Sequence, residues 1–107
     1  MSNDDQNVGT VEQRLRLGPG LVDSDRQQLL EDLSPLNRHL KHWKPDKIDL
    51  RLSVRDRDYL DQRVTLEIWL PGRHTVLVHA TDRDLERAVV EVRKAAIREI
   101  EDEADRR

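Results

Sequence analysis

Apolar and polar positions in this chain follow two periods, and the order of those periods predicts an architecture. Asp25–Trp43 repeats at helical spacing, and so does Asp84–Ile100. Between them lie three alternating segments, Ile48–Arg55, Gln62–Leu70 and His74–Ala80. Period 3.6 places apolar residues along one helix face, and period 2 places them on one face of a strand. A shorter alternating piece, Val11–Leu17, comes first, with Gln13 out of pattern, and reads as an irregular edge strand ended by Gly18-Pro19-Gly20. The order is β-α-β-β-β-α. It predicts a two-layer α+β domain, a four-stranded sheet with two helices packed on one face.

The first helix is expected to start at Ser24, a residue type suited to N-capping. Leu29, Leu33, Leu36, Leu40 and Trp43 then fall within about 80° of one another on a helical wheel. Pro35 lies inside this stripe. It predicts either a kink or two short helices sharing a face, with Ser34-Pro35 as the cap and first residue of the second. The stripe passes Pro35 in phase, which favours the kink, and Pro45 is expected to end the helix.

Parity constrains the last hairpin. Leu66 and Ile68 share a face with Val78 and Val76 only if 66 pairs with 78 and 68 with 76. The connection must then have an odd length, and Pro71–Arg73 supplies three residues. The final helix, capped by Thr81 or Asp82, should bury Leu85, Ala88, Val89, Val92, Ala96 and Ile100. Residues 1–10 read as a disordered tail, 11–103 as the domain and 104–107 as a second tail.

Composition narrows the function. With two Trp, one Tyr and no Phe, the core must be aliphatic, and 38% charged residues favour solubility. The absence of Cys excludes disulfides and thiolate metal sites. No apolar run approaches the roughly 20 residues that span a bilayer, and the N-terminus lacks a secretion signal, so a cytoplasmic protein without a membrane partner is expected. The net charge of −3 is unevenly spread. Residues 1–12 carry three acidic groups and no basic one, residues 99–107 five acidic and two basic, and residues 13–98 fourteen acidic and seventeen basic. A mildly basic body therefore carries two acidic ends.

Within that body, Arg83, Arg87, Lys94 and Arg98 fall within about 60° on the last helix, nearly opposite its apolar stripe. Such a row can follow phosphates. The competing reading is a solvated face with Arg87–Glu91 or Lys94–Glu91 pairs. Residues 38–57 are densely basic: Arg38, Lys41, Lys44, Lys47, Arg51, Arg55 and Arg57 face only Asp46, Asp49 and Asp56. Trp69 and Leu77 lie on the sheet face opposite the core, where a partner or a base could stack, or where they shield the sheet. His39-x-x-His42 lacks a clear third metal ligand. No phosphate loop, nucleophile motif or acid–base carboxylate pair is present, so no catalytic, cofactor or metal site is predicted, and an enzyme is not expected.

Two stretches carry a resemblance. One is the leucine stripe through Trp43 followed by Lys47-Ile-Asp-Leu-Arg-Leu. The other is Thr65-Leu-Glu-Ile-Trp-Leu-Pro-Gly-Arg-His-Thr-Val-Leu-Val-His-Ala-Thr-Asp-Arg-Asp-Leu-Glu-Arg-Ala-Val, with Asp84, Ala88 and Val89 at the helix start. Over about residues 11–103 the chain resembles the short ribosome hibernation-promoting factors, also called sigma-54 modulation proteins. The resemblance implies a non-enzymatic translation inhibitor of the stress response that occupies the rRNA channel of the small ribosomal subunit. It implies RNA contacts at Arg38, Lys41, Arg83, Arg87, Lys94 and Arg98. Glu86 stands where the family usually has an aromatic residue, and Glu99, Glu101, Asp102, Glu103 and Asp105 replace its usual basic end.

The partner expected is therefore the small subunit, with a weak homodimer as a second association. The acidic end also supports another class, a diverged interaction or regulatory module that keeps the fold without binding rRNA, using Trp69 and Leu77. A third is a double-stranded RNA binder unrelated to ribosomes. If the acidic end only repels phosphate, deleting Glu101–Arg107 should strengthen RNA binding.

Overall fold

The computed structural model describes residues 9–105; residues 1–8 of the expected N-terminal tail and 106–107 of the expected C-terminal one lie outside them. The element order is α1 (Thr10–Arg14), β1 (Leu15–Leu17), a 3-10 turn (Asp23–Asp25), α2 (Arg26–Leu33), a 3-10 segment (Ser34–His39), a 3-10 turn (Pro45–Lys47), β2 (Asp49–Arg55), β3 (Arg63–Trp69), β4 (Val76–Thr81) and α3 (Leu85–Asp105). The sheet runs β1-β2-β3-β4, with β1 parallel to β2 and the other pairs antiparallel. This is the expected two-layer α+β arrangement.

Alternation puts Leu50, Leu52, Val54, Val64, Leu66, Ile68, Val76 and Val78 on one face, all buried. Leu29, Leu33, Leu36 and Leu40 cover them from one side, and Ala88, Val89, Val92, Ala96 and Ile100 from the other. Leu85 and Trp43 are only partly buried at the margin. Each buried Leu or Ile contributes about 1.5–3 kcal/mol of transfer free energy. The α2 segment and α3 run side by side in the same direction. Leu29 lines a groove with Leu85 and Val89, Arg93 donates to the Asp32 carbonyl at 2.9 Å, and His39 Nδ1 lies 3.3 Å from Glu101 Oε2.

Several local expectations need correction. Thr10–Arg14 is a helical turn, and the strand is only Leu15–Leu17. Val11 and Leu15 are both buried at i, i+4, a helical spacing that short alternation mimics. Asn37 fixes this turn: its Oδ1 accepts the Val11 N–H at 2.9 Å and its Nδ2 donates to Glu12 at 3.0 Å. Thr10, read as part of the tail, is buried there. Beyond β1 the chain still follows β2, since Gly18 N–H donates to Leu52 O and Pro19 O accepts from Val54 N–H. Gly20, at φ +90, passes so close that a Cβ would meet the Val54 carbonyl.

Pro35 neither kinks a continuous α-helix nor breaks the stripe. The α-helix ends at Leu33, and Ser34–His39 continues as a 3-10 segment with the proline in its first positions. There the missing N–H removes no essential bond. The segment stops at His39, before Pro45, which opens a separate turn. Capping also differs. Asp25, not Ser24, precedes α2, and its carboxylate accepts the Val22 N–H at 2.8 Å. Asp84, not Thr81 or Asp82, receives the Arg87 N–H at 3.2 Å, while Asp82 receives that of Asp84.

The hairpin register is the one parity requires, Leu66 opposite Val78 and Ile68 opposite Val76. The connection is wider than three residues, because the ladder resumes only at Val76. Within it, Arg73 N–H bonds to Leu70 O at 3.3 Å, and Gly72 has φ +74. Pro-Gly at the two central positions suits such a turn, since glycine accepts positive φ without strain. The turn aims Arg73 at the end of α3. There the side chain is only 5% exposed. It donates to Ile100 O at 3.0 Å and Glu103 Oε1 at 2.9 Å, and its guanidinium lies 5.4 Å from the Trp43 ring centroid. Trp43 in turn donates to Pro71 O at 3.3 Å. Arg73 Nε is buried without a hydrogen-bond partner among the described residues, which offsets part of this gain.

A second arginine fastens the opposite end. Arg57 pairs with both oxygens of Asp25 at 2.7 and 2.8 Å and donates to Gly20 O at 2.9 Å. The Arg57 hydrogen bonds, with that from Val22, hold the Asp25 carboxyl down at about 2.

Three predictions follow from this packing. Leu66→Ala should lower unfolding free energy by about 2–5 kcal/mol, as for other buried leucines, measured by urea denaturation. Asp25→Asn should lower it by about 2 kcal/mol near neutral pH. Because the folded carboxyl titrates below its unfolded value, the wild-type advantage is complete above pH ~4 and fades as pH falls toward ~2. Stability curves of the two proteins should therefore converge in acid; a constant gap would contradict the ion pair. Arg73→Ala should cost about 2 kcal/mol. Glu103→Gln should cost less, and the double variant should fall short of additivity in a thermodynamic cycle.

Candidate nucleic-acid interface

Helix α3 has one face against the sheet and one side against the α2 segment. Arg87, Lys94 and Arg98 therefore occupy its outer crest, with Arg83 just before its first turn, and all four are exposed. None of the four makes an ion pair among the described residues, although Glu91 and Glu101 share their side of the helix: the pairs are Arg14–Asp49, Arg57–Asp25 and Arg73–Glu103, with His39 beside Glu101. The alternative of Arg87–Glu91 or Lys94–Glu91 pairs is not what the structure contains. These cations are free to meet an external anion, and their (CH₂) stems keep them clear of the core.

Arg38 and Lys41 are exposed as well. They flank His39, whose contact with Glu101 sets this stretch beside the end of α3. The structure thus brings the basic groups of both helical segments onto the layer that covers the sheet. It does not gather the basic span 38–57. Lys44 and Lys47 lie exposed around a 3-10 turn, Arg51 and Arg55 point from the opposite sheet face, and Arg57 is taken up by Asp25.

The acidic end also differs from its expected role. Glu103 grips Arg73, and Glu101 meets His39. Removing Glu101–Arg107 would therefore unfasten the hairpin and Trp43 as well as remove charge. A gain in RNA affinity from that deletion is no longer the expected outcome.

On the open face Trp69 is half-buried, with the Arg16 guanidinium 5.9 Å from its ring centroid. Leu77 is 57% exposed and stands opposite Glu67. The Trp69 ring already has a cation over it, so the apolar partner surface read there shrinks to Leu77 among the described residues. Sequence reasoning missed the rest of this face. Arg16 stands opposite Arg51, and Arg55 opposite Arg63. Alternation could have marked them as outward-facing, but only the strand order makes them neighbours.

Among the described residues, no group of three or more His, Asp or Glu is arranged to hold a metal, and no helix is long and apolar enough to cross a membrane. His42 stands edge-on to the Trp43 ring with centroids 6.0 Å apart.

No family model matches the sequence, and no curated protein does. Solved structures do match in fold. The N-terminal domain of Protein Y from Thermus thermophilus aligns with a TM-score of 0.61 and 20% identity, over 81% of this chain and 91% of that one. A ribosomal subunit interface protein from Coxiella burnetii aligns at 0.54 and 16%, over 86% of this chain and 98% of that one. At these identities the likeness establishes the fold, a β-α-β-β-β-α sandwich shared by this chain and two proteins of that description.

Proposed function

We propose that this protein is a ribosome-associated, non-enzymatic translation inhibitor of the hibernation type, acting in the cytoplasm on the small subunit. The observation that carries the reading is the exposed basic row of α3, without an ion pair among the described residues, on a fold shared with a ribosomal subunit interface protein. Arg83, Arg87, Lys94 and Arg98 supply phosphate contacts from α3, and Arg38 and Lys41 from the 3-10 segment and the turn after it. Phosphate contacts position a protein on RNA without reading its sequence. A rigid wedge held by such contacts in a channel inhibits by occupying space, which needs no acid, base, metal or nucleophile.

The arginine locks suit this role. Arg57 and Arg73 tie both ends of the sheet layer to the helical layer. The crest is thereby presented on a stiff support, so little ordering cost falls on binding.

Reversal of Arg87, Lys94 and Arg98 to Glu should abolish co-sedimentation with purified small subunits. The thermal midpoint should stay near wild type, because all three side chains are exposed. Milder loss of one contact should flatten the salt dependence of binding by about 0.7–0.9 log units. If the wild-type protein does not pellet with small subunits even at low salt, the ribosome reading fails.

A further inference from the structure

The face of the sheet that no helix covers carries an arrangement that folding alone disfavours. Arg55 and Arg63 are direct cross-strand partners, and like charges directly opposite destabilise a sheet. Arg16 and Arg51 are also paired on this face, although there Glu67 stands opposite Arg51 on β3 and Arg16 lies over the Trp69 ring, so Arg55–Arg63 is the pair left without a facing carboxylate. Next to Arg55 and Arg63, Ser53 stands opposite Thr65, and Thr65 opposite His79. Ser53, Arg55, Arg63, Thr65, Leu77 and His79 line one shallow concavity. It contains two guanidinium groups, two hydroxyls and an imidazole, and no carboxylate. The acidic neighbours lie at its margin: Asp82 accepts the Asp84 N–H, Asp56 and Asp61 are exposed beyond the strand ends, and Glu67, on the same face, stands opposite Leu77 and Arg51 at the far side of the hollow from Arg55 and Arg63.

We infer that this concavity is a phosphate site, and that its occupant is the phosphodiester backbone of single-stranded RNA. Two arginines with no carboxylate between them present several N–H donors to an anion, and guanidinium matches phosphate oxygens in pairs. A bound phosphate also relieves the Arg55–Arg63 repulsion, for which neither arginine has an ion-pair partner among the described residues. The hollow is open and shallow, so it grips one anion weakly. A polymer overcomes that by engaging further charges, and Arg51 lies on the same face about 13 Å along β2 from Arg55. The inference is independent of the helical crest, which lies on the other side of the molecule, and gives the protein a second RNA-facing surface.

The test is an NMR titration of ¹⁵N-labelled full-length protein with octauridylate at low salt. The amides of Ser53, Arg55, Arg63, Thr65 and His79 should shift together. Shifts confined to α3 would overturn the sheet site and leave the crest reading standing, and an absence of shifts would overturn the sheet site. Shifts on the sheet face in a protein that does not pellet with ribosomes would support the sheet site alone. A parallel titration with inorganic phosphate should move the same amides only at phosphate concentrations at least tenfold higher. Equal affinity per phosphate would make this a small-anion site and reject RNA as its occupant. Arg63→Glu places a carboxylate opposite Arg55, so its thermal midpoint should hold or rise while octauridylate affinity falls at least tenfold. The salt slope should drop by about 1.4 log units, two single-strand contacts at 0.7 each. Unchanged affinity in that stable variant would refute the proposal.

Discussion

Everything in this molecule depends on a sheet that is apolar on one face only. Leu50, Leu52, Val54, Val64, Leu66, Ile68, Val76 and Val78 all point to the same side. Water must be excluded from that side, and two helical segments are what the chain has to exclude it with. A slip of one residue in any strand would exchange this set for arginines, threonines and Glu67. The same constraint therefore sets the register, forces the α2 segment and α3 onto one layer, and leaves the opposite face polar.

Arginine is put to two uses here, separated by whether a carboxylate or carbonyl is within reach. Arg14 donates to Ile48 O and Asp49; Arg57 and Arg73 clamp the two ends of the sheet to the helical layer. Those three are structural and have little charge to offer a partner. Arg87, Lys94 and Arg98 on the crest and Arg55 and Arg63 on the open face have no such partner among the described residues. A basic composition says little about binding until this division is made, because a paired guanidinium is already satisfied.

The division also changes the meaning of the acidic end. Along the chain it is a run of negative charge that should repel RNA. In space Glu103 pairs with the Arg73 guanidinium and Glu101 meets the His39 imidazole, both on neighbouring elements. The end of α3 is thus a fastening for the hairpin turn and Trp43, and the basic row on the same helix runs from about four turns away at Arg87 to within one turn of it at Arg98.

The sequence by itself determined the elements that rest on long, regular periods: the three main strands, the leucine stripe, the buried face of α3 and the hairpin pairing. Parity and helical spacing are local properties, and burial only enforces them. It also marked the crest residues, since one helix places them on one face whatever it packs against. It misjudged Thr10–Arg14, where five residues cannot separate period 2 from period 3.6 and Asn37, more than twenty residues away, decides for helix. It left Pro35 between a kink and a second short helix and favoured the kink, whereas a 3-10 segment opens there, because which of the two forms depends on what the next turn packs against. The neighbours on the open face were decided only by tertiary structure. Arg16 meets Arg51, and Arg55 meets Arg63, because strand order and register bring them across from one another, and no spacing along the chain encodes a contact made through space.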